Sequence, residues 1–178
     1  MNYLKQACTW AAALLMCTTV TAVESPAYLS RYETTPQDVN AIMQLTEDFR
    51  AALAAKDAKK MSTLMLNSDI LMASPLGPEA VKKIQDTRDV NFDGVFNGGF
   101  HQLAQLLSDS REPLEEKFYD IQITQDGPVA WVTFNFEFMQ GSKVANHGRE
   151  VWQTIKTSDN KWKIFTVVWS SHHEPKTG

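Results

Sequence analysis

The sequence predicts an α+β domain with its helices on one face of an antiparallel sheet. Three observations lead there. Residues 36–55 and 100–110 repeat apolar side chains at helical spacing, whereas from Lys117 onward the period falls to two and holds through four segments joined by short turns. Helices first and a meander last is the order of an α+β chain. The last segment, Lys161–Ser171, is mainly apolar on both faces, so something must cover the side that an antiparallel sheet normally leaves wet.

The chain of 178 residues opens on a stretch that reads as a secretory signal: Lys5, a short apolar run, then Val20-Thr21-Ala22 with small residues where a signal peptidase cuts. Residues 1–22 are therefore expected to be removed, and the protein is expected to be exported, periplasmic or secreted. Cys17 follows Met16, where a lipoprotein signal would carry a small residue, so a lipid anchor is the lesser reading. Cys8 and Cys17 are the only two cysteines and both leave with the signal, which removes disulfides, thiol nucleophiles and cysteine metal sites from the remainder. No later segment is apolar for long enough to span a bilayer, so no membrane partner is expected after signal removal.

Residues 23–34 are polar and without period, and read as a flexible leader. About 156 residues then follow the signal, enough for one domain, which is assigned to 35–173 with a tail at 174–178. Seventeen basic against 21 acidic residues give a net formal charge of −4. Nucleic acid is an unpromising partner for such a chain, because affinity for it rests on clustered Lys and Arg.

Thr35 before Pro36, with Asp38 in the first turn, starts a helix whose stripe is Val39, Ile42, Met43, Phe49 and Leu53. Asp57 caps a second, shorter helix, AKKMSTLML, and SDILMASPLG reads as a strand closed by a Pro/Gly turn. PEAVKKIQDTRD has some helical character and NFDGVFNGG is a Gly-rich connection to the better helix FHQLAQLLSDS. The meander is KFYDIQIT, VAWVTFNFEFM, HGREVWQTIKT and KWKIFTVVWSS. In its second strand Ala130, Val132, Phe134, Phe136 and Phe138 share one face, and Trp131, Thr133, Asn135, Glu137 and Met139 the other.

ALAAKDAKKMSTLMLNSDILMASPLG, HGREVWQTIKTSDNKWKI and WKIFTVVWS together resemble the nuclear transport factor 2-like superfamily, in its SnoaL-like and ketosteroid-isomerase-like branch. The resemblance implies a cone, in which helices are packed in a strongly curved antiparallel sheet with a pocket at the open end. It turns Trp162, Ile164 and Ser170 inward on the closing strand, and Thr166 and Val168 with them. Many members carry His at those last two positions; here Thr and Val stand there, which leaves imidazole chemistry without its residues. Phe165, Val167 and Trp169 then face outward with Trp131 and Trp152. So large an exposed aromatic patch is improbable on a monomer, and members commonly dimerise through this face. A homodimer through Trp131, Trp152, Phe165 and Trp169 is the expectation.

The same alternation turns Tyr119, Ile121 and Ile123 inward, and Arg149, Val151, Gln153 and Ile155 on the third meander strand. The expected pocket is mainly apolar, with Tyr119, Arg149, Gln153, Thr166 and Ser170 as polar groups and Trp162 in its wall, and it suits a small organic ligand. Arg149 could hold a ligand carboxylate, or pair structurally with Glu150 or Glu47, the plainer alternative. For proton transfer, Tyr119 is the candidate oxyanion donor and Asp69 the candidate base, against ordinary roles as a core tyrosine and a turn residue. His172-His173-Glu174 reads as a polar tail, since neighbouring side chains of an extended chain point apart and rarely share a metal. His101 reads as a helix-surface residue.

No P-loop, dinucleotide fingerprint or G-x-S-x-G elbow is present, so no cofactor and no metal is expected. The reading is an exported, dimeric small-molecule-binding domain. Its alternatives are an isomerase, cyclase or dehydratase working by acid–base chemistry, and a protein-interaction module.

Overall fold

The structure is a computed structural model and describes Pro26, Tyr28 and residues 34–173. The expected signal over 1–22, the leader apart from Pro26, Tyr28 and Thr34, and the tail 174–178 lie outside the described residues. The chain divides into two units, residues 1–31 and 32–178, and the second carries the fold.

Thr35 caps α1 (Pro36–Ala54) through its side chain, which accepts from the Asp38 N–H at 3.1 Å. The helix buries Ile42, Leu45, Thr46, Phe49, Ala52 and Leu53, a broader stripe than the predicted one. Asp57 caps α2 (Ala58–Leu64), which buries Met61 and Leu64. β1 (Leu71–Pro75) follows, then α3 (Pro78–Thr87), β2 (Val95–Gly98), α4 (Phe100–Asp109) and the four long strands β3 (Leu114–Asp126), β4 (Val129–Gln140), β5 (Lys143–Lys156) and β6 (Trp162–Trp169).

These strands form one curved, unclosed sheet of order β2-β1-β6-β5-β4-β3. All pairs are antiparallel except β1 with β6, which run parallel. The Gly-rich connection of the sequence reading contains β2, and β5 begins four residues before the expected HGREVWQTIKT, inside what reads as a loop. Helix α1 lies across the concave face, and its Phe49 meets Trp152 and Phe118 with ring centroids 4.9 and 6.3 Å apart. This aromatic cluster, with Phe134 added, is the centre of the core.

Three bulges decide which side chains enter the cone. On β6, Thr154 pairs with Ile164 and Gln153 with Thr166, so Phe165 is left over and the alternation flips there. Trp162 and Ile164 are buried, as expected. Beyond the flip it is Val167 and Trp169 that turn inward, while Thr166 and Val168 turn out. On β3 the register shifts between Tyr119 and Gln122, with Asp120 at φ +54°. Ile121 and Ile123 pack against the core as expected, but Tyr119 pairs with Asn135 on the outer face and is exposed.

On β5 the whole alternation is opposite to the expected one. Trp152, fully buried, sits opposite Val132 in the inward row of β4, so Glu150 and Thr154 are buried with it and Arg149 and Gln153 are exposed outside. The expected alternation, with Arg149 and Gln153 inward, turns Glu150 outward. The outer face therefore carries Trp131 and Phe165, each 38% exposed, but not Trp152 or Trp169.

Candidate active site

The open end of the cone encloses a cavity of about 300 Å³. Phe49 and Leu53 of α1 form its floor, Leu103 and Leu106 of α4 one wall, and Phe136 and Phe138 of β4 another. Phe96 of β2 and Trp169 of β6 complete it, their rings 5.9 Å apart. Three polar side chains of the sheet face this apolar space: Glu116 of β3, Asn146 of β5 and Glu150 of β5. Gln102 of α4 also borders it, but its side-chain oxygen accepts the Gly99 N–H at 2.8 Å and caps the helix.

Glu116 and Glu150 are both buried. They flank β4, Glu116 opposite Phe138 and Glu150 opposite Phe134, so the strand's phenylalanines lie between their rows. Loss of hydration penalises the charged form of each. Burial pushes the Glu150 carboxyl up to about 7, against the pull of the Trp152 indole N–H, which donates to its Oε1 at 2.5 Å. Burial also raises Glu116 well above the carboxylate range, and the nearby Glu150 charge raises it further, partly offset by Arg50. Arg50 donates from Nε to the Glu116 carbonyl at 2.8 Å and pairs with Glu47, which fixes the guanidinium beside the pair.

The arrangement therefore holds two carboxyl groups of raised proton affinity in one largely apolar pocket. Near neutral pH Glu150 divides between acid and base forms, and burial favours the acid form of Glu116, which can donate. Trp152 occupies one oxygen of Glu150 and leaves the other for a ligand. Trp152 is itself held by rings on three sides, Phe49, Phe118 and Phe134.

Of the side chains expected to act, none lines this cavity. Tyr119 donates from its hydroxyl to Glu137 at 3.0 Å, and that bond raises the phenol's pKa. Asp69 is exposed in the turn before β1, where its carboxylate accepts from Ser68 at 3.3 Å. Trp162 points inward but at the opposite end, donating to Asp38 at 3.0 Å. Ser170 accepts the Arg149 N–H and borders, with Tyr119, Arg149, His147 and His172, an open hollow on the outer face. Thr166 pairs with Gln153 on that face. Glu47, an alternative partner of Arg149, is engaged by Arg50. His101 is exposed on α4, as read. Among the described residues no group of three His, Cys, Asp or Glu side chains is placed to hold a metal ion.

Sequence reasoning missed Glu116 and Glu150. The signal that could have found them is their place in the pattern: each stands at an inward position of a strand that buries Leu114 and Phe118 in one case, Trp152 and Thr154 in the other.

A curved sheet wrapped round helices with an acid pair in its apolar mouth defines the class: a cone-fold α+β domain. Comparison with solved structures gives the fold its particular name, the NTF2-like fold. A Nostoc punctiforme protein of unknown function with a cystatin-like fold superposes with a TM-score of 0.58 at 16% identity, over 81% of this chain and 98% of that one. An NTF2-like protein of unknown function from Shewanella baltica gives 0.55 at 14% identity, over 79% and 99%. A Novosphingobium aromaticivorans protein named "Putative Scytalone Dehydratase" gives 0.57 at 12% identity, over 77% and 85%. Neither a family model nor a curated protein sequence matches this chain.

Proposed function

We propose that the protein is a proton-transfer enzyme of the isomerase or dehydratase type, acting on a small, largely apolar carbonyl compound. One observation carries the reading: two buried glutamates of raised proton affinity line the same apolar cavity. Glu150, as carboxylate, takes a proton from the carbon beside the carbonyl, and the C–H electrons become the C=C bond of an enol. Glu116, as acid, donates to the carbonyl oxygen where negative charge gathers. Where a C=C is conjugated with the enol, passage of the Glu150 proton to its far carbon, with the enol O–H proton returning to Glu116 as the C=O re-forms, completes an isomerisation. Where the next carbon bears a hydroxyl, its departure with the Glu150 proton as water, with the same return of the O–H proton to Glu116, completes a dehydration. The neighbour named as a dehydratase shares 12% identity, a likeness of fold, and adds nothing to these roles.

The test is exchange of the α-protons of a tetralone into deuterated water, followed by proton NMR. Acceleration by the wild type that is lost in Glu150→Gln and sharply reduced in Glu116→Gln is expected. A tetralone that binds but exchanges no faster than in buffer would reduce the site to binding alone, the reading the sequence favours.

The proposal includes two features of setting. Export rests on the signal-like residues 1–22, and recovery of protein cut after Ala22 from the exported fraction would support it. Self-association rests on Trp131 and Phe165 standing exposed on the outer sheet face. Native mass spectrometry of that material reports subunit number and any retained ligand together.

A further inference from the structure

We propose that Asn146 is the specificity-determining residue of the cavity, accepting a hydrogen bond from a hydroxyl or N–H on the ligand. The inference rests on the cavity being the ligand site and goes beyond it by stating what the ligand must carry. Asn146 lines the cavity, and its side-chain oxygen is buried with no hydrogen-bond partner among the described residues. It is the single buried side-chain N or O atom of which this is true among them. A buried acceptor left without a donor is destabilising, so a ligand that supplies the donor removes that penalty on binding.

The backbone is shaped to aim this amide. Val144 pairs with Met139 and Asn146 with Phe138, which leaves Ala145 as an extra residue and reverses the alternation of β5. Val144 accordingly borders the outer hollow and Asn146 the inner cavity, two residues apart yet on opposite faces. The bulge is pinned from outside: the Ala145 carbonyl lies 2.8 Å from His173 Nδ1, and His147 and His172 exchange both backbone hydrogen bonds at 3.0 and 2.9 Å. Asn146, Phe138 and Glu116 then form one row across three strands. A ligand oxygen at Glu116 and a donor at Asn146 would lie on either side of the Phe138 ring.

The probes are naphthol and methylnaphthalene, the same flat bicycle carrying a hydroxyl or a methyl at one carbon, with binding followed by naphthyl fluorescence. A site that hydrogen-bonds a hydroxyl rejects the analogue lacking it, so the wild type should favour naphthol by about tenfold or more. Asn146→Leu keeps the side chain's size and removes the acceptor. It should lose that preference and bind methylnaphthalene as well as the wild type does. Equal binding of both probes by wild type and variant would overturn the assignment of Asn146 while leaving the cavity as the ligand site. Failure of the wild type to bind either probe would overturn both. Should Asn146→Leu not fold, Asn146→Ser is measured instead, with the same loss of preference expected and a retained preference counting against the proposal.

Discussion

The two ends of the cone each bury a carboxyl group, and treat it in opposite ways. At the closed end Asp38 accepts from Lys156, Gln125, Trp162 and Thr35, at 2.8 to 3.0 Å. Those donors, Lys156 foremost, hold its carboxyl far below the ordinary value. At the open end Glu150 has one indole N–H and Glu116 an arginine at its backbone, and burial lifts both. A carboxylate with every lone pair engaged ties elements together, here the first turn of α1 to the ends of β3, β5 and β6. One with spare capacity in an apolar wall is available for chemistry.

Breaking the closed end should have the largest effect. Asp38→Ala strands the Lys156 ammonium and the Trp162 indole N–H, and should cost about 4 kcal/mol in urea unfolding. A loss below about 1 kcal/mol would mean that this cluster ties nothing.

The pH dependence of stability separates the ends by sign. Glu150 binds its proton more tightly folded, at about 7, than its ordinary 4.5, so stability from this group is full below the ordinary value and is lost as pH rises to about 7. At 1.36 kcal/mol per pH unit the loss is about 3 kcal/mol. Asp38, depressed, contributes above its ordinary 3.8 and loses that contribution as pH falls. Stability should therefore peak at mildly acid pH, with Glu116→Gln plus Glu150→Gln flattening only the neutral limb and Asp38→Asn only the acid limb. An unchanged neutral limb in the double variant would contradict the open-end account.

A smaller change sharpens the pair itself. Trp152→Phe removes the one side-chain donor to Glu150, so the Glu150 carboxyl, followed by carbon NMR of labelled glutamate, should titrate higher by about one pH unit. The smallest effect on folding is expected outside. Trp131→Glu with Phe165→Glu should change monomer stability by about 0.5 kcal/mol while shifting the protein to single subunits in sizing experiments. Retention of a dimer would remove this face from the proposed contact.

Much of the fold is legible in the sequence because periodicity reports it directly. Thr35 and Asp57 are caps as read, and the alternation of Ala130 to Phe138 is the inward row of β4. The site is less legible, because a pattern of period two carries no record of where it slips. Phe165, Ala145 and the pair Asp120-Ile121 are ordinary strand residues to look at, yet each reverses the facing of the residues beyond it. That is why Trp169 was expected outside and lines the cavity, and why Tyr119 was expected within and stands in solvent. Glu116 and Glu150 were hidden for different reasons: Glu116 precedes Lys117, where the strand was expected to begin although β3 starts at Leu114, and the expected phase of β5 turned Glu150 outward.

The bulge at Phe165 also bears on how this cone could change over generations. Because it sets the phase of everything up to Trp169, drawing Phe165 into the regular pairing would exchange Val167 and Trp169 for Thr166 and Val168 along the chamber wall in a single event, whereas losing that residue would leave the facing as it is. With the phase kept, 167 and 169 are positions where altered side chains re-shape what the chamber admits, and 166 and 168 are positions where they alter only what the exterior meets. Inner selectivity and outer recognition can thus drift independently along one strand, as long as the slip between them is retained.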